Sequence, residues 1–432
     1  MTNNRPKILL IRPDNFSIQG LLAFNWPPLT LLQIAAVTPE KYSVKIVDES
    51  FEKVSFNEDV DLVGISFRTL NAPRGYWIAD EFRKRGIPVV IGGWHASALP
   101  HEAKEHADAV FIGEAEGGWR QLLKDFEKGS LKPFYRSDFI EGELIPEPRI
   151  EAFQRKTLVY TAQASRGCPY GCEFCSISNS PLGGKKYRIR PVDNVVKELE
   201  KVKQRIIIFV DPSLSINISH SKKLFKKLAD MNKKFACFIN VKAAFDDEFL
   251  RLASDAGFFA FSIGFETFSE GSMEKMKKLP SAVRDYKDAV RRIHDYGIAV
   301  LGSFVFGFDD DKKDIFKRSI DLMKYIDIDS AGVNILTPFP GTPLFTRLEK
   351  ENRIITKDWS RYNMKDVVFI PKHMTPEELK EGATYVAKEF FSWKSIINRF
   401  MLSLRYGTFT SLSSTYWSLA QKTAFKKIWK WF

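Results

Sequence analysis

The amino-acid sequence predicts an α/β protein with an open, mostly parallel sheet, then a partial barrel of six strand–helix units, then a helical C-terminal region. Two observations predict the sheets. A short apolar run followed by a polar stretch of helical spacing recurs over residues 1–140, and the same pattern recurs over residues 155–345. The third observation is the change to a helical pattern alone over residues 346–432. The chain has 432 residues, which is long enough for two or three domains with separate cores.

The first series contains apolar runs that are each expected to form a strand, at residues 8–11, 44–47, 62–65, 89–91 and 110–112. Several of these runs end in small residues, at Ser66, Gly92, Gly93 and Gly113. Ligands of parallel sheets bind beyond the carboxyl ends of the strands, where glycine allows the backbone to approach the ligand closely. The pattern therefore predicts a ligand site at this edge of the first sheet. Residues 130–155 are rich in Pro and Glu and are expected to be a linker.

The second series contains six further apolar runs, at residues 158–161, 206–210, 237–240, 259–264, 300–306 and 332–336. Six consecutive strand–helix units predict a partial barrel of the TIM type. Barrels of this type place their chemistry at the carboxyl ends of the strands. Residues that follow these strands are therefore the candidates for the active site.

Three cysteines follow the first strand of the second series with Cx3Cx2C spacing: Cys168, Cys172 and Cys175. Three thiolates on one short loop can hold three irons of a [4Fe–4S] cluster and leave the fourth iron open for chemistry. A zinc site is the alternative, but zinc usually has four Cys or His ligands, and no His lies within forty residues of these cysteines. The remaining cysteine, Cys237, lies in an apolar strand and is expected to be buried in the core.

The cysteine motif, with the aromatic Phe174 before its last cysteine, resembles the signature of the radical S-adenosylmethionine (SAM) superfamily. In that family the open iron binds the amino and carboxylate groups of SAM, and one electron from the cluster cleaves SAM to methionine and a 5′-deoxyadenosyl radical. The resemblance continues along the barrel and implies a set of SAM-binding residues: Phe174, Asp211, Asn240, Lys242, Glu266, Gly302 and Ser303. Asp211 is followed by Pro212, so the family's usual Gly-Gly-Glu is absent at this position.

The α/β sheet before the barrel resembles the Rossmann-like, flavodoxin-like cobalamin-binding domain of the cobalamin-dependent branch, whose members modify lipids and tetrapyrroles. Three segments carry the resemblance, at residues 26–29, 92–100 and 111–116. It implies a cobalamin-binding domain over 1–140, a radical SAM barrel over 155–345 and a helical region over 346–432. It also implies a set of cobalamin-binding residues: Ser66, Arg68, Thr69, Leu70, Gly92, Gly93, His95, Gly113 and Glu114. A flavodoxin-like regulatory domain without cobalamin is the alternative.

One departure from related cobalamin domains concerns the ligand of cobalt. Methionine-synthase-like domains carry Asp-x-His-x-x-Gly after the first strand, and the corresponding stretch here, residues 14–20, has no His. Bound cobalamin is therefore expected to lack a His ligand from this loop, and residues 67–71 are the candidate for the lower face of the cobalt. His95 could be a ligand in principle, but a loop His after Gly-Gly is more often a hydrogen-bond donor to corrin amides or exposed.

The resemblance implies a radical enzyme that methylates an unactivated carbon. The same architecture would also serve a radical cyclase that transfers no methyl group. A third hypothesis is a non-catalytic cobalamin sensor, but a vestigial barrel would not need three cluster thiolates. No second cluster, flavin motif or dithiol is visible in the sequence, so an external acidic ferredoxin or flavodoxin is expected to supply electrons.

The charge of the chain favours an anionic partner, because the net charge is +12 and the pI is about 9.3. No nucleic-acid partner is expected, since no RNA-binding module is recognisable and the positive charge is concentrated in the tail. Residues 390–432 contain seven Lys or Arg and no Asp or Glu, and apolar residues recur there at helical spacing: Trp393, Ile396, Ile397, Phe400, Met401 and Leu404. Trp417, Trp429 and Trp431 add rings suited to a headgroup region.

The tail therefore predicts a basic amphipathic surface that binds a membrane, and with it a lipid or another hydrophobic substrate. The alternative is a helix packed on the barrel, whose apolar stripe would look the same. Few cysteines and no membrane-spanning apolar stretch predict a cytoplasmic protein, peripheral on the inner face of the cytoplasmic membrane.

Overall fold

The computed structural model describes residues 5–14, 26–179, 184–268 and 283–429, with side chains except at 283–284 and 424–429. This part of the chain forms two six-stranded parallel sheets, and helices pack against each of them. Among the described residues, no helix is both long enough and apolar enough to cross a membrane.

The first sheet has the order β2-β1-β3-β4-β5-β6. Its strands are β1 Lys7–Arg12, β2 Ser43–Asp48, β3 Leu62–Ser66, β4 Val89–Gly92, β5 Ala109–Ile112 and β6 Phe134–Arg136. Its helices are α1 Leu29–Val37, α2 Ala72–Arg83, α3 Trp94–Ala98, α4 Pro100–Glu105 and α5 Trp119–Glu127. The strand order reverses between β1 and β3, which is where parallel sheets bind ligands beyond the carboxyl ends of their strands.

Strand β6 lies within the segment 130–155 that was expected to be a linker, so that expectation is wrong for these three residues. It pairs in parallel with β5, and the N–H of Val110 donates to the carbonyl of Pro133 at 2.9 Å. Tyr135 is its single buried side chain, and the Tyr135 hydroxyl bonds Asp125 at 2.9 Å. Two aromatic residues, Phe134 and Tyr135, between Pro133 and Arg136 give no alternating pattern that could be recognised in the sequence.

The second sheet has the order β14-β13-β12-β11-β10-β7, with every pair parallel, which is the predicted six-stranded partial barrel. Its strands are β7 Val159–Ala162, β10 Ile206–Phe209, β11 Lys234–Ile239, β12 Phe258–Glu266, β13 Ala299–Phe306 and β14 Ser330–Ile335. A short antiparallel pair, β8 Ser165–Arg166 and β9 Arg188–Ile189, flanks the cysteine loop. The helices of this part are α6 Ser176–Asn179, α7 Val192–Lys201, α8 Ile218–Leu228, α9 Asp247–Ala256, α10 Val283–Asp295, α11 Ile315–Tyr325 and α12 Pro343–Lys350.

Three C-terminal helices complete the chain: α13 Pro376–Phe390, α14 Trp393–Ser403 and α15 Thr408–Trp429. Helix α13 begins with a capping box formed by Thr375 and Glu378. Helix α15 lies against the amino end of β14, where the hydroxyls of Ser418 and Ser330 are 3.0 Å apart. Helix α15 therefore lies at the end of the barrel opposite the cysteine loop.

Candidate functional site

The cysteine loop follows β7, and hydrogen bonds to its backbone fix its conformation. The amide Nδ2 of Asn179 donates to the carbonyls of Cys172 and Cys175, both at 2.8 Å, and the N–H of Cys168 donates to Gly184 at 3.0 Å. All three cysteines are partly exposed. In the part of the chain that the structure describes, no three His, Cys, Asp or Glu residues are arranged to hold a single metal ion. Three thiols on one loop are the donor set that suits three corners of an iron–sulfur cluster.

Cys237 lies in β11, is 2% exposed and belongs to the core between the sheet and its helices. Burial raises the pKa of the Cys237 thiol well above its usual value. A buried, protonated thiol is a poor metal ligand. Its position is the core position that the apolar strand predicted.

Asp211 lies directly under the start of the cysteine loop. Both of its carboxylate oxygens accept from the N–H of Ala164 at 3.1 Å, and Oδ1 also accepts from the Ser165 hydroxyl at 2.6 Å. Burial raises the pKa of Asp211 to about 6, although these bonds oppose the shift. In this position Asp211 fixes the turn between β7 and the loop, and contact with SAM remains a prediction.

The other predicted SAM-binding residues lie at the carboxyl ends of the central barrel strands. Asn240 accepts from the N–H of Lys242 at 3.0 Å and so caps the turn after β11. Glu266 ends β12 with a positive φ of 64°, beside an irregularity in the pairing with β13. A non-glycine residue in this conformation is strained, and such strain is concentrated at functional sites. Glu266 therefore has a strained backbone at the carboxyl end of β12, and its contact with SAM stays a prediction.

The turn after β13 contacts the cysteine loop through aromatic rings. Phe174 meets Phe308 edge to face, with ring centroids 5.6 Å apart. Gly307 has a φ of 108°, and its N–H donates to the buried Asp311 at 2.8 Å. Burial raises the pKa of Asp311 to about 6. Phe174 thus lies beside the end of β13.

Gly302 and Ser303 face opposite sides of β13. A Cβ on Gly302 would lie 2.7 Å from the ring of Phe304, so the outer packing of the strand requires glycine here. Ser303 pairs with Gly332 of β14 on the face towards the barrel interior. Of these two residues, Ser303 is therefore the one whose side chain faces the inside of the barrel.

A cavity of about 460 Å³ lies between the carboxyl edge of the first sheet and the start of the cysteine loop. Six of the predicted cobalamin-binding residues line it: Ser66, Arg68, Gly92, Gly93, Gly113 and Glu114. Gly93 has a φ of 94°, and a Cβ there would lie 2.7 Å from the carbonyl of Phe67. Arg68 lines the cavity and is exposed there. The site is thus formed by both sheets.

Three predicted cobalamin-binding residues, Thr69, Leu70 and His95, are not among the residues that line this cavity. His95 is fully buried, its Nε2 lies 3.0 Å from Glu102, and its ring meets Trp359 edge to face at 5.1 Å. These contacts hold the segment around Trp359 against the first domain. The loop of residues 14–20, which contains no His, lies outside the described residues except for Asp14.

Three family models match the chain. They are the radical SAM superfamily at residues 163–323, the B12 binding domain at 20–123 and a domain of unknown function, DUF4070, at 342–431. A bacteriochlorophyllide d C-8(2)-methyltransferase of Chlorobaculum tepidum is 30% identical, over 91% of this chain and 92% of that protein. The chain belongs to the cobalamin-binding branch of the radical SAM superfamily. This membership confirms the predicted family, and with it the cofactor set of a [4Fe–4S] cluster, SAM and cobalamin.

A more distant relative and one solved structure extend the comparison of this radical SAM enzyme. A hopanoid C-2 methylase of Rhodopseudomonas palustris is 27% identical over 80% of this chain and 68% of that protein. The radical SAM methyltransferase TsrM of Kitasatospora setae, solved with cobalamin and a [4Fe–4S] cluster, superposes with a TM-score of 0.68 at 17% identity, over 88% of each chain. At this identity the superposition shows the fold alone, and it confirms the predicted fold class.

Buried charges join the two cofactor domains of the radical SAM enzyme. Glu114 lies after β5, and its carboxylate accepts hydrogen bonds from Nη1 and Nη2 of Arg188, at 2.7 and 2.8 Å. Both side chains are almost fully buried. Arg166, two residues before Cys168, donates to Glu116 at 2.7 Å and to Gln33 at 3.0 Å. Pairing of this kind compensates the cost of burying each charge. The cluster loop is thus fastened to the edge of the cobalamin-binding sheet.

The interior of the barrel is lined by small and apolar side chains. Cys237 and Ile239 pack in the outer core, so the alternation of β11 places Phe238 inside, where it is 43% exposed. Val210, also inside, is 37% exposed. Barrels of this type normally fill their interior with bulky branched residues. Here several interior positions are small, namely Ala236, Ser262, Gly264, Ser303 and Gly332, while the same alternation also places Ile208 and Leu301 inside.

Proposed function

We propose that this enzyme is a cobalamin-dependent radical SAM methyltransferase that methylates an unactivated carbon of a hydrophobic substrate. The observation that carries the proposal is the shared cavity, whose wall includes Gly92 and Gly93 from the first sheet and Gly167 immediately before Cys168. Cobalamin held on the glycines and SAM held at the open iron would therefore be neighbours. The relatives named as methyltransferases and methylases support the same reaction.

The residues of the chain hold and orient the reactants. The three cysteines hold the cluster, whose role when it is bound is to cleave SAM by one-electron reduction. Glu266 and Ser303, with Asn240 and Lys242, are proposed to orient SAM from the strand ends. A substrate bound in the barrel would cover the exposed Phe238 and Val210 and so keep water from the radical, which would otherwise be lost to side reactions.

The substrate class follows from the barrel interior. Phe238 and Val210 present apolar surface beside small residues, which suits a flat or elongated hydrophobic molecule. The relatives named for bacteriochlorophyllide and hopanoid modification act on molecules of this character. Two classes of hydrophobic substrate fit this interior, a lipid and a tetrapyrrole.

Product analysis with methyl-labelled SAM tests this function. The reconstituted enzyme would be incubated with cobalamin, reduced flavodoxin and extracts rich in lipids or in tetrapyrroles. Label in a new hydrophobic product is expected. A new product without label would indicate radical cyclisation instead, and a chain that binds cobalamin without cleaving SAM would indicate the sensor hypothesis.

An external electron donor is part of the proposal. The one cysteine outside the cluster motif is the buried Cys237, so the chain offers no thiol pair for a second redox centre. Lys185 packs against Gly171 of the cluster loop and is exposed, which suits an acidic ferredoxin or flavodoxin. Omitting the donor from the labelling assay should therefore abolish product.

Cobalamin in this enzyme should have no protein nitrogen on its cobalt. No His lines the described part of the cavity, and residues 15–25, which lie outside it, contain none in the sequence. The wall instead includes Arg68 and Asn71 of the proposed lower-face loop. Electron paramagnetic resonance of the cob(II)alamin form is expected to show no superhyperfine splitting from an axial nitrogen. Such splitting would contradict the assignment of residues 67–71 to the lower face.

The C-terminal helices are proposed to rest on the inner face of the cytoplasmic membrane. Trp393, Ile397 and Met401 lie one turn apart on α14 and are 60%, 58% and 61% exposed. Ile396 between them is buried, so the helix both packs on the barrel and presents an apolar stripe. Leu404, Phe409 and Leu412 extend the exposed surface beyond the helix.

The structure assigns several of the tail cations to internal contacts. Arg399 donates to the carbonyl of Asp329 at 3.0 Å, Arg405 pairs with Asp327 at 2.9 Å, and Lys422 donates to Phe391 at 2.7 Å. The membrane contact would therefore rest more on apolar insertion than on charge. Trp431 and the side chain of Trp429, which the sequence added to this surface, lie outside the described residues.

Flotation with anionic liposomes tests the membrane contact. The triple variant Trp393→Ser, Ile397→Asn, Met401→Gln is expected to lose most of the binding, because each exposed apolar group contributes roughly 1 kcal/mol or more on insertion. The matched control replaces Leu144, Leu158 and Ile355 with Asn, since these residues are also exposed but lie elsewhere. Equal recovery of both variants with the liposomes would refute the membrane face.

A further inference from the structure

Two buried amide side chains line the cavity, and each has one polar atom without a hydrogen-bond partner among the described residues. Gln33 lies on α1 and is 3% exposed, and Asn71 follows β3 and is 6% exposed. The unpaired atoms are Nε2 of Gln33 and Oδ1 of Asn71. Native proteins leave few buried polar atoms unpaired, so each such atom calls for a partner that enters the cavity.

The orientation of both amides is fixed by their other contacts. Oε1 of Gln33 accepts from the guanidinium of Arg166 at 3.0 Å, and a guanidinium can only donate. Nδ2 of Asn71 donates to the carbonyl of Pro13 at 2.6 Å, and a carbonyl can only accept. Flipping either amide would break its bond. Each residue therefore lines the cavity and keeps one polar atom without a partner, a donor on Gln33 and an acceptor on Asn71.

We propose that Gln33 and Asn71 bind the carboxamide side chains on the rim of cobalamin. Nε2 of Gln33 donates to the carbonyl oxygen of one carboxamide, and Oδ1 of Asn71 accepts from the NH2 of another. The inference rests on the proposed function, because it takes cobalamin as the occupant of the cavity.

The chemistry of the two atoms selects this occupant. A phosphate or carboxylate offers only acceptors and would leave Asn71 unpaired, whereas a carboxamide carries both an acceptor and a donor. The corrin rim carries several carboxamides. Neither residue is charged, which suits a neutral ligand group. Asn71 lies in the proposed lower-face loop, and Gln33 lies on the opposite side of the strand-order reversal, so the two would bind different parts of the rim.

Three variants separate ligand binding from packing. Gln33→Glu keeps an oxygen for Arg166 but removes the donor, Gln33→Leu removes both, and Asn71→Leu removes the acceptor. Binding of hydroxocobalamin to the full-length protein with its cluster reconstituted would be measured by equilibrium dialysis. We expect the Kd to rise about tenfold in each variant. Iron content and circular dichroism should be unchanged, which excludes misfolding.

The outcome for Gln33→Glu is decisive, since wild-type affinity in this variant would show that Gln33 serves Arg166 alone. Cobinamide, which keeps the rim carboxamides and lacks the nucleotide tail, provides a second arm. The same loss of affinity is expected with cobinamide, and loss of the effect there would move the contact to the nucleotide and overturn the proposal. If the wild type bound no cobalamin, the proposed function would fail. If the wild type bound and all variants bound equally, only this inference would fail.

Discussion

Replacing Cys172 with Ala is expected to abolish the iron–sulfur cluster and, with it, all reductive cleavage of SAM. The wild-type protein, reconstituted without oxygen, should bind about four irons, because three thiolates hold three irons of a [4Fe–4S] cubane and the fourth iron has no protein ligand. Two remaining thiolates cannot hold it. Iron content, the charge-transfer absorption and the release of 5′-deoxyadenosine after reduction measure the effect.

Cys237→Ala is the matched control for this experiment. Cys237 is 2% exposed in the outer core of the barrel, away from the cluster loop. Its loss removes one buried sulfur and should lower stability slightly while leaving four irons and SAM cleavage intact. Cleavage of SAM by the Cys172 variant, or loss of iron in the Cys237 variant, would show that the cluster has been assigned to the wrong residues.

The strands of both sheets could be predicted from the sequence because each is a short apolar run with a clear boundary. The exception, β6, has one buried side chain, Tyr135, and its position depends on pairing with β5. Pairing is a property of the folded chain, so a three-residue strand of mixed polarity leaves no local signal. The same reason explains why the return of Trp359 to the first domain was not predicted.

The site could be predicted as far as its residues follow motifs. The cysteine spacing and the glycines at the strand ends are local patterns. The structure places the glycines in the wall of the cavity, together with Gly167, which precedes Cys168. His95 also follows a glycine motif, yet it packs away from the cavity against Glu102. Gln33 was not predicted. The signal that could have found it is a polar residue inside the otherwise apolar helix Leu29–Val37.

The junction between the domains could not be predicted because its partners are distant in sequence. Glu114 and Arg188 are separated by 74 positions, and the local sequence pattern around neither residue indicates that the two side chains meet. Burial gives this pair its importance, since an exposed pair contributes little to stability. The energetic consequence can be tested by removing one charge.

Arg188→Met is expected to lower the free energy of unfolding by about 3 kcal/mol, because it leaves Glu114 buried without its bidentate partner. The side chains of Glu114 and Arg188 are 3% and 1% exposed, so water cannot replace the lost bonds. Arg166 lies 3.5 Å from Glu114 and compensates only in part. Urea unfolding followed by tryptophan fluorescence measures the change, and cobalamin binding should weaken in parallel as the cavity wall loosens.

Two companion variants identify burial as the cause. Lys186→Met breaks the nearby pair with Glu141, whose side chains are 54% and 56% exposed, and should change stability by less than about 1 kcal/mol. Adding Glu114→Gln to Arg188→Met removes the stranded charge and should restore part of the lost stability, since an uncharged amide costs less to bury than a carboxylate. An Arg188→Met variant as stable as the Lys186→Met variant would mean that the two domains do not depend on this buried pair.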